Sequence, residues 1–205
     1  MGKSVEATLR NELLLAEVEI ATSFNNAIVA STRRSLVDEA QLVNAGGNSV
    51  AALAELGRIV EPFIPSGLTG ITLLDIQGKK LAVQGMFTPK PALAVPLKLP
   101  GQVQILWGSQ LFLRSTVELK ATGLVVGKVV PEWALPGIGT ALQDASGLGK
   151  TAEMALCAPL GVQMQCFPTA LNPKVLVFPR VTADGDLLPM AYALDGKTGT
   201  VSGRD

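Results

Sequence analysis

No histidine occurs anywhere in the chain, which removes the commonest general base and the commonest metal ligand together. Charge is also scarce: Asp, Glu, Lys and Arg supply 17% of the residues, against about 25% in an ordinary soluble domain. The 17 basic and 17 acidic side chains cancel. No basic run exceeds the pairs Arg33-Arg34 and Lys79-Lys80, so the electrostatic footprint of a nucleic-acid binder is missing and no nucleic-acid partner is expected. Aromatic residues are 4% of the chain, a thin supply for the walls of a ligand pocket. The two cysteines, Cys157 and Cys166, do not complete a four-ligand zinc site without histidine. Two buried reduced thiols are favoured over a disulfide. No cofactor, no metal and no catalytic residue are expected.

What is abundant is apolar material. Hydrophobic residues make up 48% of the 205, and the mean hydropathy is +0.37. Too little polar surface remains to cover the outside, so part of the apolar surface is expected to meet other copies of the chain, a lipid surface or an enclosed apolar ligand. The N-terminus lacks the apolar core of a signal peptide before Glu6, Arg10 and Glu12, which predicts synthesis in the cytoplasm. Gly2 invites myristoylation, but Glu6 stands where that motif wants Ser or Thr. The most apolar window, 123–142, carries Lys128, Pro131, Glu132 and Pro136 and makes a poor membrane span.

The clearest secondary structure is the stretch 110–121. Leu111, Leu113, Val117, Leu119 and Ala121 alternate with Gln110, Arg114, Thr116, Glu118 and Lys120, the pattern of a strand with one buried face. Phe112 and Ser115 interrupt it. Before it, residues 4–43 show apolar positions at helical spacing, Leu9, Leu13, Ala16, Ile20, Phe24, Ala27 and Ile28, widened by Leu14, Val18 and Ala21. The stripe weakens at 31–35, a bend or break, and Ala45-Gly46-Gly47-Asn48 is a stop. Ser49 then caps a second helix, 50–61, closed by Pro62. The two helices are expected to form a hairpin, most simply a layer on the sheet that follows, with a coiled coil or a membrane-surface helix as the other readings.

After residue 65 the period becomes extended. Strands are expected at 71–76, 81–87, 92–99, 103–107, 110–121 and 123–130, with Pro131 ending the series. Short helices follow at 138–145 and 151–157, then a strand at 162–167 and a late hairpin from 175–178 and 187–194 around the turn 182–186. The chain is thus read as α+β, an N-terminal helical hairpin followed by a mainly antiparallel β-sandwich or barrel-like domain. Its parts are a helical region, 1–65, and a β-rich region, 66–205, with short helices near 138–157.

The weak motifs dissolve on inspection. Gly149-Lys150-Thr151 ends like a phosphate-binding loop, but Asp144 stands where that loop needs glycine. Asp184-Gly185-Asp186 lacks the ligand spacing of a calcium loop. Asp38 and Glu39 are adjacent on a helix and do not face each other. No Gly-x-Ser-x-Gly occurs. The expectation is therefore a non-enzymatic structural protein that self-assembles into an oligomeric shell, capsid or filament, ending in a virion or assembled particle. The alternative is a carrier for a lipid or other apolar ligand. Phe112, Phe24, Trp107 and Trp133 are the residues expected at an interface or ligand contact. A homo-oligomer is the expected partner state, with lipid or membrane-surface contact as the competing one.

Overall fold

The structure, a computed structural model, describes residues 2–44, 49–144 and 153–197. The chain forms two compact units, Arg10–Ile138 and Met1–Leu9 with Gly139–Asp205. The class is α+β, with a long N-terminal helix, a six-stranded antiparallel sheet and a small three-stranded sheet. The helical hairpin expected from the sequence is not what forms. One long helix, α1 (Gly2–Ser31), stops at Ser31, and two shorter ones follow, α2 (Arg34–Asn44) and α3 (Ser49–Val60). The break has a local cause. Ser31 Oγ donates to the Ile28 carbonyl and Thr32 Oγ1 to that of Val29, so hydroxyls satisfy the last carbonyls of the helix and compete with its continuation. The stop signal at 45–48 lies outside the described residues. After α3 the prolines Pro62 and Pro65 confine the chain to a 3-10 turn, Glu61–Ser66, closed by Gly67 at φ 93°.

The six strands are β1 (Leu68–Leu74), β2 (Lys80–Gly85), β3 (Leu93–Leu97), β4 (Gln102–Trp107), β5 (Leu111–Ala121) and β6 (Leu124–Ala134). Their order is β2-β1-β6-β5-β4-β3. Every pair is antiparallel, and β1 also pairs with the last strand, so β2 and β3 are the two free edges. Pro96 on β3 and Lys79-Lys80 before and on β2 blunt those edges against further pairing. The β5–β6 turn holds Thr122 at φ 49° and Gly123 at φ 86°, the two positive φ values of a tight two-residue hairpin turn.

One face of the sheet carries the core. Ile71, Leu73, Leu111, Leu113, Leu119, Val129 and Trp133 are fully buried, and the register places Leu113 opposite Trp133 and Leu73 opposite Val129. Ser115, an interruption in the β5 alternation, sits on this face, buried with no partner for its Oγ. α2 lies close over it: a Cβ on Gly127 would meet Ala40 and Leu119 side chains at 3.5 and 3.7 Å. Contrary to expectation, Pro131 does not end the strand. β6 runs through it to Ala134, opposite Ile71 of β1, and the β5–β6 pairing lapses between Val129 and Glu132, where proline has no N–H to give. Gly70 and Gly85 face each other across β1 and β2. A side chain on Gly85 would stand 2.3 Å from the Thr69 carbonyl oxygen, at a φ of 81° besides, so only glycine fits there.

The other unit holds β7 (Cys157–Leu160), β8 (Gln163–Cys166) and β9 (Leu176–Pro179), in the order β7-β8-β9. Here the sequence reading needs three corrections. Residues 187–194 are not a strand: Leu187 makes one isolated bridge with Val181, and Pro189 then occupies the first turn of a helix, α5 (Pro189–Leu194), where its missing N–H costs nothing. Residues 153–156 are not helical, and the remainder of that expected helix, 151–152, lies outside the described residues, as do 145–150 of the loop before it. Finally, Cys157 and Cys166 are joined in a disulfide. They are directly opposite across β7 and β8, and the neighbouring Phe167 N–H donates to the Leu156 carbonyl, so the cysteines occupy a site between ladder bonds where side chains approach most closely. The hairpin register itself brings the sulfurs together. Converting both cysteines to serine is expected to destabilise this unit by about 2–3 kcal/mol, the loop-closure value for so short a ring. Urea unfolding with and without the change measures it.

Candidate functional site

Three features outside the apolar core invite a functional reading. The first is a buried ion pair on the face of the sheet opposite the core. Arg114 and Glu132 are cross-strand neighbours on β5 and β6, and Glu132 is wholly buried. Its Oε1 accepts from the Thr88 N–H and the Thr88 hydroxyl, both at 2.8 Å, while Oε2 accepts from Arg114 Nε at 2.8 Å. Arg114 Nη2 also donates to the Thr88 carbonyl at 2.7 Å, and its guanidinium lies 5.9 Å from the centre of the Phe87 ring. Both carboxylate oxygens are occupied and the arginine is tied to the same loop. This arrangement clasps the β2–β3 connection to the sheet and leaves Glu132 no free lone pair directed at a substrate.

The second feature is a groove of about 580 Å³ lined by Phe24, Ile28, Thr116, Glu118, Lys120 and Lys128 among others. Its polar wall follows from register: Glu118 faces Lys128 across β5 and β6 and pairs with Lys120 at 3.2 Å. The apolar wall comes from α1.

The third is α1 itself, which is built inside out. Its protein-facing side is small or polar: Ser23, Ala27 and Ala30 are buried, and Glu19 Oε1 and Oε2 accept from the backbone N–H groups of Gly137 and Ile138, each at 2.9 Å. Those N–H groups open the helix α4 (Pro136–Gln143), so the Glu19 carboxylate caps it and meets the positive end of its dipole. Replacing Glu19 with Ala is expected to cost about 1 kcal/mol through the lost cap, read from the thermal midpoint. The outward side of α1 carries Leu14 at 58% exposure, Leu15 at 62%, Val18 at 53% and Val29 at 49%. The sequence expected Leu13, Ala16, Ile20, Phe24, Ala27 and Ile28, widened by Leu14, Val18 and Ala21, on one buried stripe; Ala27 is buried and Ala16, Ile20 and Phe24 are half-buried, whereas Leu13, Leu14, Val18, Ala21 and Ile28 are exposed. Large apolar side chains on the solvent side blur the amphipathic signal, which is why periodicity identified only part of the protein-facing side.

The residues expected at an interface fall in four different places. Phe112 is 8% exposed and lies on the ion-pair face beside Leu106, its cross-strand partner, and near Gly108 and Thr88. Trp133 is fully buried, edge-on to Phe63 at 5.8 Å. Trp107 is half-buried at the end of β4, opposite Leu93 and Leu111. Phe24 is half-buried and lines the groove. Sequence reasoning missed the Arg114–Glu132–Thr88 cluster, because two of its members are separated from Thr88 by a strand pairing that no local pattern announces. Among the described residues no three Asp, Glu or Cys side chains gather in a set able to hold a metal ion. Comparison of the chain with known protein families, with curated proteins and with solved structures returned no match.

Proposed function

We propose that this protein is a structural component without enzymatic activity that self-associates into an oligomeric shell, capsid or filament. The observation that carries the reading is the outward face of α1, where Leu14, Leu15, Val18 and Val29 stand about half exposed or more. Apolar area of this kind, concentrated on one helix, is covered in working proteins by a partner surface. The shortage of charge across the whole chain points the same way. The cross-strand disulfide suits a particle that leaves the reducing cytoplasm after its subunits are made.

The second reading, a carrier for a lipid or other apolar ligand, is favoured by one observation, the groove between Phe24, Ile28 and the β5–β6 polar wall. Mass by light scattering, with negative-stain images of the same fractions, separates the two. Rings, shells or filaments support the structural reading. A 21.3 kDa monomer at high concentration overturns it, and a co-purified lipid in native mass spectrometry then supports the carrier.

A further inference from the structure

The exposed face of α1 is ordered more specifically than an apolar patch. Asn11, Leu14, Val18, Ala21, Asn25 and Ile28 follow one another at spacings of three and four and are all exposed, the a and d positions of a heptad seam. Leu15, Thr22 and Val29, the e positions of the same heptads, are exposed beside them and widen the seam. The intervening positions Ala16, Ile20, Ser23, Ala27 and Ala30 are turned to the protein. We propose that this face is a homotypic interface: two copies pair through α1 as a parallel, in-register, two-stranded coiled coil. The inference deepens the structural reading above and rests on it.

The choice of occupant comes from the two asparagines. Each falls at an a position, in the middle of the apolar seam. In a parallel pair Asn11 meets Asn11 and Asn25 meets Asn25, and an amide supplies both donor and acceptor, so each layer satisfies itself. An antiparallel pairing would set Asn25 against the Leu14 end of the seam and strand both amides. A lipid surface would leave them facing hydrocarbon without partners. The segment Asn11–Ser31 is long and apolar enough to cross a membrane by length and composition, but Glu19, midway along it, is committed to the N–H groups of Gly137 and Ile138, which holds that turn of the helix against its own protein. Buried Asn at a also lowers affinity in exchange for register and two-strand stoichiometry.

The test uses the full chain. Val18→Cys, treated with a short bis-maleimide that ignores the Cys157–Cys166 disulfide, is expected to give a covalent dimer, because Val18 meets Val18 across the seam. Leu13→Cys, exposed but off the seam, is expected to give none. Val18→Asp is expected to weaken dimerisation about 100-fold, the loss typical of a central interface residue, in sedimentation equilibrium. Its circular dichroism spectrum should be unchanged, since Val18 touches solvent in the single chain. Asn25→Ile is expected to raise the stoichiometry above two, a result that an unstructured sticky patch would not produce. Particles that assemble while Val18→Cys fails to cross-link overturn this interface and leave self-assembly standing. A monomer that binds phosphatidylglycerol vesicles, and loses that binding in Val18→Asp, overturns both and assigns the face to lipid. A monomer that binds neither overturns both as well.

Discussion

Glu132→Ala is expected to destabilise the six-stranded unit by about 3–5 kcal/mol, the cost of leaving one member of a buried ion pair without its partner. The Glu132 side chain is 1% exposed and that of Arg114 26%, so removing the carboxylate leaves a guanidinium with little water to replace it. It also frees the Thr88 N–H and hydroxyl, both of which end on Glu132. The loss should therefore appear twice, as a lower urea midpoint and as faster hydrogen exchange at the Thr88 amide. Removing both charges tests whether the penalty lies in the orphaned partner. Arg114→Met with Glu132→Met is expected to recover most of the stability, because a well-packed apolar pair of similar volume has no desolvation cost to offset. Equal losses in the single and double variants would mean that the clasp stabilises by its hydrogen bonds to the loop rather than by pairing charges.

Trp133→Ala is expected to cost about 3–5 kcal/mol as well, by opening a cavity where a fully buried indole now stands. Trp133 is a large side chain at the junction of β6 with Leu113 of β5 and with the Phe63 ring, so few neighbours are free to collapse into the space. Its Nε1 has no hydrogen-bond partner, a debit already present in the native chain. Trp133→Phe removes that unpaired donor with part of the volume, and its expected cost is smaller, about 1–2 kcal/mol. Only Trp107 and Trp133 fluoresce as tryptophans in this chain, and Trp107 is the half-buried one. Urea unfolding of the Trp133 variants is therefore followed by circular dichroism, and the fluorescence of Trp133 in the Trp107→Phe background checks that the parent transition is the global one.

The sheet was readable because its signal is local. Alternation along β5 identified Leu111, Leu113 and Leu119 as the core face, and burial agrees. The helix α1 was readable as a helix and unreadable as a surface, since small residues such as Ala27 and Ser23 allow close approach and leave the larger Leu14 and Val18 for the outside. A hydrophobicity pattern weighs bulk, and here bulk and burial part company. The disulfide was hidden for a different reason. Pairing Cys157 with Cys166 requires β7 to be a strand, and its four residues include Pro159, which discourages that assignment. α5 was misread because a six-residue helix is too short to show a period and Pro189 looks like a strand edge before it looks like a helix start. The clasp at Glu132 depends on contacts between residues 44 apart in sequence, beyond the reach of any window.

The pairing of β1 with β6 has a consequence for synthesis. Leu68 is matched to Trp133, and Glu19 waits for Gly137, 118 residues later. A nascent chain emerging from the ribosome can form the β1–β2 and β3–β4–β5 hairpins early, from neighbouring segments, but β1 keeps an open edge until β6 arrives. Until then the apolar residues Ile71 and Leu73 lack their neighbours on β6, and the exposed side of α1 is already present. Such an intermediate is the species most prone to premature association. Slowing elongation before β6 has cleared the ribosome should lengthen its lifetime and lower the soluble yield, whereas a pause after β6 has emerged should leave the yield unchanged.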